Sequence, residues 1–233
     1  MPTSTAANPE PAPRLRAVLF DLDGTVLDTA PDMHGALNVL LAERGRAPLP
    51  YAVVRPCVSH GAARVVRAGF PEAVEPEFAA LQRRFLEIYS GALAVETRLF
   101  DGMASVLDEL AARGLLSGIV TNKSAWLTDP LLAQLGLTPR FACVVSGDTV
   151  AERKPHPLPM LHAARLAGVA TAECIYVGDA ERDVQAAHRA GMPALIAAYG
   201  YIPEDDDTAA WRGDGLLAAP LDLLDWLDAS GRL

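Results

Sequence analysis

Arg16-Ala-Val-Leu-Phe-Asp-Leu-Asp-Gly-Thr25 is the stretch on which the fold turns. Its apolar run ends on carboxylates, the pattern of a buried strand that delivers charge to its tip. Side chains alternate along a strand, so Asp21 and Asp23 turn toward the same side, and Gly24 allows a tight turn. Two carboxylates held together attract a hard divalent cation such as Mg²⁺. A carboxylate can also attack phosphorus and form an aspartyl-phosphate. Alone, the same residues fit a strand followed by an ordinary Asp-Gly turn.

Outward from this stretch, four more apolar runs predict strands. Leu115 to Thr121 ends in a hydroxyl. Phe141 to Val145 leads into Ser146-Gly147-Asp148, Cys174 to Val177 into Gly178-Asp179, and Pro193 to Ala198 into Tyr199-Gly200. Helical patterns lie between them: Met103 to Arg113, Leu131 to Leu135, Leu158 to Leu166 and Val184 to Ala190. Each is followed closely by a glycine, as helix ends often are. Asp129 is expected as an N-cap, with Pro130 in the first turn of its helix. Strands alternating with helices predict an α/β protein with a Rossmann-like parallel sheet covered on both faces. In such sheets the ligand sits beyond the carboxyl ends of the strands.

The stretch 29–98 breaks the alternation. Met33 to Arg44, His60 to Ala68 and Glu75 to Ser90 all read as helical, predicting a small helical domain inserted after the first strand. That leaves 15–28 and 99–233 as the core domain, with hinges next to Asp28 and Phe100. Residues 1–14, rich in Pro, Ala, Ser and Thr, are expected to be a disordered tail. They lack the basic and apolar regions of a secretory signal. Asp205 to Asp207 reads as a solvated loop and Leu221 to Leu227 as a terminal helix. No internal repeat is found.

Of the 233 residues, 51% are apolar and 21% charged, enough for a sizeable core. The net charge of −9 argues against nucleic acid and against an anionic membrane. No apolar run reaches the length of a membrane span. A negative protein that binds phosphate must concentrate positive charge locally. Cys57, Cys143 and Cys174, three in number and far apart, read as buried thiols of a reducing cytoplasm.

Three further places carry chemistry. Thr121, with Asn122 and Lys123, offers a hydroxyl and loop amides suited to phosphate oxygens, although taken alone a helix N-cap, with Ser124 capping too, is the favoured reading. Lys154, before Pro155, would act as a point charge on a phosphate; a surface turn is the alternative. Asp179 and Asp183 are one helical turn apart and share a face. Asp179 can reach a metal while Asp183 orients its neighbours or Lys154, with Glu181 and Arg182 pointing elsewhere. The alternative is an acidic first turn answering the helix dipole. All four places fall in order at predicted strand ends of one sheet.

The set Asp21-x-Asp23-Gly24-Thr25, Thr121, Lys154 and Gly178-Asp179-x3-Asp183 resembles the four motifs of the haloacid dehalogenase superfamily, and the helical insert resembles its C1-type cap. The likeness covers about residues 15 to 200. Asp23 favours the phosphatase branch, since true dehalogenases lack that second aspartate. Leu99-Phe100-Asp101-Gly102, Val120-Thr121-Asn122-Lys123 and Lys154-Pro155-His156-Pro157 are similar to phosphoglycolate phosphatases. Val58-Ser59-His60-Gly61-Ala62 and Tyr199-Gly200-Tyr201-Ile202 also resemble the related N-acetylmuramate 6-phosphate phosphatases.

The resemblance implies Asp21 as nucleophile and Asp23 as general acid, then base. It implies Mg²⁺ on Asp21, the Asp23 carbonyl and Asp179, with Gly24, Thr25, Thr121, Asn122 and Lys154 around the phosphoryl group. It further implies a cytoplasmic monomer or homodimer acting on a small phosphorylated metabolite. His60, Gly61 and Arg64, at a predicted helix start in the cap, are expected to meet the substrate, Arg64 through a carboxylate. A solvated Arg64 is the competing expectation. A phosphomutase and a catalytically dead binding module remain as other classes, the second opposed by the intact motifs.

Overall fold

The computed structural model describes residues 13–233. The tail expected over 1–14 therefore lies almost wholly outside the described residues. β1 (Ala17–Phe20) is followed by a two-residue strand, β2 (Leu27–Asp28), and by α1 (Ala30–Glu43), α2 (Tyr51–Val54), α3 (Gly61–Gly69) and α4 (Glu77–Ser90). A 3-10 turn over Arg55–His60 joins α2 to α3. β3 (Arg98–Leu99) then returns antiparallel beside β2, setting Leu27 against Leu99 and Asp28 against Arg98. The remainder alternates: α5 (Met103–Ala112), β4 (Leu116–Val120), α6 (Ala125–Gln134), β5 (Cys143–Val145), α7 (Leu158–Ala167), β6 (Cys174–Gly178), α8 (Glu181–Arg189), β7 (Ala194–Ala197), β8 (Gly215–Leu217) and α9 (Asp222–Ala229).

Six strands form one parallel sheet in the order β5-β4-β1-β6-β7-β8. Chain order runs outward from β1 in both directions, and such a reversal opens a crevice beyond the carboxyl ends of the strands. Phe20 is in register with both Ile119 and Val177. Asp21, Thr121 and Asp179, which follow those strands, therefore emerge at nearly one level.

Strand alternation sends Val18 and Phe20 to one face and Ala17 and Leu19 to the other. On the first face they pack with Val106 and Leu110 of α5, Leu131 of α6 and Leu227 of α9, continuous with Leu37, Val65 and Phe85 of the helices between β2 and β3. On the second they pack with Met160 and Ala163 of α7 and Val184 and Ala187 of α8. Each fully buried large aliphatic or aromatic side chain here contributes about 1.5–3 kcal/mol. Two covered faces are why these strands read as unbroken apolar runs.

Two expectations change. Pro130 lies inside α6 and Asp129 caps nothing, because the helix starts at Ala125. The Ala125 N–H donates to Asp148 Oδ1 at 2.8 Å, a cap supplied from beyond β5 and invisible locally. Cys57 is only half-buried, whereas Cys143 and Cys174 are buried, and all three are free thiols. The β2–β3 pair, α2 and β8 had no sequence signal. Among the described residues no helix is long and apolar enough to cross a membrane.

One buried carboxylate ties the helical segment to its return path. Asp32, on α1, accepts hydrogen bonds from the amides of Val95, Glu96 and Thr97 at 2.9–3.1 Å and from the Thr97 hydroxyl at 2.7 Å.

Candidate active site

Asp21 leaves β1 with its amide donating to Val177 O at 2.9 Å, which fixes it between β1 and β6. Its side chain is 4% exposed. Oδ1 accepts the Leu22 amide at 2.8 Å and lies 2.9 Å from Lys154 Nζ. The Lys154 ammonium also donates to Val120 O and to the Tyr176 hydroxyl, both at 2.8 Å, and lies 2.8 Å from Asp183 Oδ1. It is thus held wholly by strand ends and α8. Asp183 Oδ2 accepts the Ala180 amide at 3.0 Å, closing the first turn of α8.

Asp179 completes the acidic group. One oxygen each from Asp21, Asp179 and Asp183 lies within 4.8 Å of the others. Asp179 Oδ2 accepts from the Tyr201 amide at 2.9 Å and the Ser59 hydroxyl at 2.5 Å. Its buried Oδ1 has no hydrogen-bond partner among the described residues. Burial, with Asp21 and Asp183 beside it, pushes the Asp179 carboxyl up to about 7, against the pull of those two hydrogen bonds. An orphaned carboxylate oxygen among three clustered acids is a donor set that a hard divalent cation fits. Asp21 and Asp179 would hold such an ion.

Asp23 faces the same cavity from the other side. Its Oδ1 accepts from the Thr29 hydroxyl at 2.7 Å and from Lys123 Nζ at 2.9 Å. Lys123 Nζ also donates to the Tyr89 hydroxyl of α4 at 2.9 Å. Burial works against the Lys123 charge, but Asp23 and Tyr89 outweigh it and raise its pKa above the usual lysine value. A cavity of about 410 Å³ opens over Asp21, Asp23, Thr121 and Lys123. His60, Gly61, Leu86 and Tyr89 close it from the helical segment, with Trp126 also on its wall.

The expected site residues are not all brought together. Thr121 lines the cavity and accepts the Lys123 amide at 3.2 Å. Asn122, expected on phosphoryl oxygens, spends its side chain on the main chain of Lys154: Oδ1 accepts the Lys154 N–H at 3.0 Å and Nδ2 donates to its carbonyl at 2.9 Å. It places Lys154. Gly24 packs against Asp179 and is not among the cavity residues. At φ +84° an added Cβ would lie 2.1 Å from Asp179 Oδ2, so only glycine admits that approach. Thr25, also expected at the phosphate, is fully buried, with its hydroxyl unpartnered among the described residues.

His60 and Gly61 line the cavity, and burial, then Arg182 and Arg64, hold the His60 imidazole below its usual pKa. Arg64, expected to meet substrate, is exposed on α3 and is not among the cavity residues. The cations that do line it are Lys123, Arg153 and Arg182. Arg182, expected to point elsewhere, donates to the Ser59 carbonyl. Ser59, Tyr89 and Arg182 were not foreseen.

The haloacid dehalogenase-like hydrolase family model matches residues 18–197. A phosphoglycolate phosphatase of Xylella fastidiosa is 46% identical over 205 residues, 88% of this chain and 90% of that protein. An N-acetylmuramic acid 6-phosphate phosphatase of Pseudomonas putida is 39% identical over 220 residues, covering 93% and 98%. The crystal structure of a predicted phosphoglycolate phosphatase from Haemophilus somnus superposes with a TM-score of 0.81 at 27% identity, covering 91% of this chain and 97% of that one. The chain belongs to the haloacid dehalogenase-like hydrolase family. Its class within that family is phosphoric monoester hydrolase.

Proposed function

We propose that the protein hydrolyses 2-phosphoglycolate in the presence of Mg²⁺ through an aspartyl-phosphate on Asp21. The observation that carries the chemistry is the pairing of two carboxylates with different surroundings at one strand tip. Asp21 sits among Lys154, Asp179 and Asp183, whereas Asp23 faces the cavity beside Lys123. Similarity to phosphoglycolate phosphatases at 46% identity supports the substrate.

Asp21 Oδ attacks phosphorus while Asp23 gives its proton to the departing ester oxygen. Asp23 then takes a proton from the water that cleaves the acyl phosphate, regenerating Asp21 and releasing inorganic phosphate. Thr121 holds a phosphoryl oxygen, and Lys154, kept in place by Asn122, supplies positive charge beside Asp21. Mg²⁺, on Asp21, the Asp23 carbonyl and Asp179, would offset the repulsion between a carboxylate and an anionic phosphate. The segment 29–98 serves as a cap that excludes bulk water.

A second reading, hydrolysis of N-acetylmuramate 6-phosphate, is favoured by one observation: about 410 Å³ has room for a hexose-sized leaving group. Phosphate release measured over phosphoglycolate, N-acetylmuramate 6-phosphate, sugar phosphates and nucleotides decides between them. Highest kcat/KM on phosphoglycolate, abolished by EDTA, is expected. Turnover untouched by EDTA sinks the metal assignment, and phosphoryl transfer without net phosphate release would make the protein a mutase.

A further inference from the structure

We propose that Lys123, seated by Tyr89, binds a carboxylate carried beside the ester oxygen of the substrate, so that the site selects phosphomonoesters with an anionic group one carbon from the bridging oxygen. The inference rests on the assignment of Asp21 and Asp23 made above.

The ester oxygen has to lie between the phosphorus at Asp21 and the carboxyl of Asp23. Whatever follows that oxygen lies beside Asp23. Lys123 Nζ is 2.9 Å from Asp23 Oδ1, so a group one carbon beyond the ester oxygen falls within its reach. The Lys123 side chain is 6% exposed and lines the cavity. An ammonium has three donors. Among the described residues two are engaged, by Asp23 and by Tyr89. The third remains for a ligand.

Among the described residues neither arginine of the cavity pairs with Asp23. Arg182, next to the acidic group, donates to the Ser59 carbonyl and leaves its buried Nε without a partner, and Arg153 is exposed with its Nε on Gly147 O; only Lys123 adjoins the carboxyl that meets the ester oxygen. A hydrogen bond from a desolvated ammonium to a carboxylate is among the stronger ones available. The same contact separates the two candidate substrates. In phosphoglycolate the carboxylate is bonded to the carbon that bears the ester oxygen. In a muramate 6-phosphate it branches from the far side of the ring.

The test compares phosphoglycolate with 2-hydroxyethyl phosphate, which has the same length and no carboxylate. Lys123→Met is expected to lower the kcat/KM ratio of the two esters by about 10- to 100-fold, with Lys123→Arg retaining part of it. Calorimetry with both esters on an Asp21→Asn background, which does not turn over, is expected to give the same loss in binding ratio. An equal loss on both esters, with the binding ratio unchanged, overturns the proposal and leaves Lys123 as a positioning residue for Asp23. Should Lys123→Met fail to fold, Tyr89→Phe removes the hydroxyl that seats the ammonium and is expected to lower the same ratio; an unchanged ratio overturns it. If the wild type hydrolyses neither ester, the proposed function falls, while the binding ratio on Asp21→Asn still judges Lys123.

Discussion

Two lysines divide the site. Lys154 is 1% exposed in its side chain and touches only the core: Asp21, Asp183, Val120 and Tyr176. Lys123 joins the two parts of the molecule, with Asp23 on one side and Tyr89 of α4 on the other. The first is fixed whenever the sheet is folded. The second is complete only when the helical segment is seated. Ser59 and Arg182 form a like seam on the opposite side, across Asp179. On the proposed reading, the strand ends carry the reaction's fixed charges and the seam carries what depends on enclosure.

The sharpest break of this division is at Asp21. Asp21→Asn is expected to lower kcat for phosphate release by on the order of 10⁴-fold or more, with Tm nearly unchanged; residual wild-type turnover would remove Asp21 as nucleophile. Lys154→Met should cost about 3–5 kcal/mol of stability, because it strands two buried carboxylates without a counter-ion. Urea denaturation reads this, and a loss below about 1 kcal/mol would mean that the pair is solvated.

The next effect is one of pH. Asp179 holds its proton up to about 7 in the folded chain, against 3.8 as its ordinary value. Between those values the folded state binds more protons than the unfolded one, so this group favours folding at low pH and loses that contribution as pH rises through about 7. A cation that takes the place of the proton binds better on the alkaline side. The Mg²⁺-induced rise in Tm should therefore grow between about pH 5 and 8, and a flat profile would contradict the assignment. The smallest effect is expected at the seam. Ser59→Ala removes one hydrogen bond to a carboxylate, worth about 1–2 kcal/mol, and should speed amide exchange in α3 while leaving the sheet protected. Unchanged exchange would mean that Ser59 does not hold the segment.

The same division governs what the sequence reveals. Asp21, Thr121, Asp179 and Asp183 are legible because each follows an apolar run or sits at helical spacing from its neighbour, and a parallel sheet places such ends together, whereas Lys154 stands well beyond the run that ends at Val145 and is marked by Pro155 and the family resemblance. Ser59 meets Asp179 across 120 positions, and Lys123 meets Tyr89 across 34. Nothing local marks those pairs. Arg64 misleads for a related reason: the turn over Arg55–His60 delivers His60 and Gly61 to the cavity, and α3 then carries Arg64 away. Arg182 misleads through the helix rule itself, which pairs Asp179 with Asp183 and leaves the residue between them unread.

Asp32 gives the helical segment a mechanical character. Its carboxylate fastens the outgoing helix to the returning chain at residues 95–97, just before β3 and its pairing with β2. Departure and return are thereby clamped to each other, so the two ends of the helical segment lie side by side. On the reading proposed above, the segment would swing about these paired ends to release phosphate. The amides of Val95, Glu96 and Thr97 should then remain protected from exchange while those facing the cavity come and go.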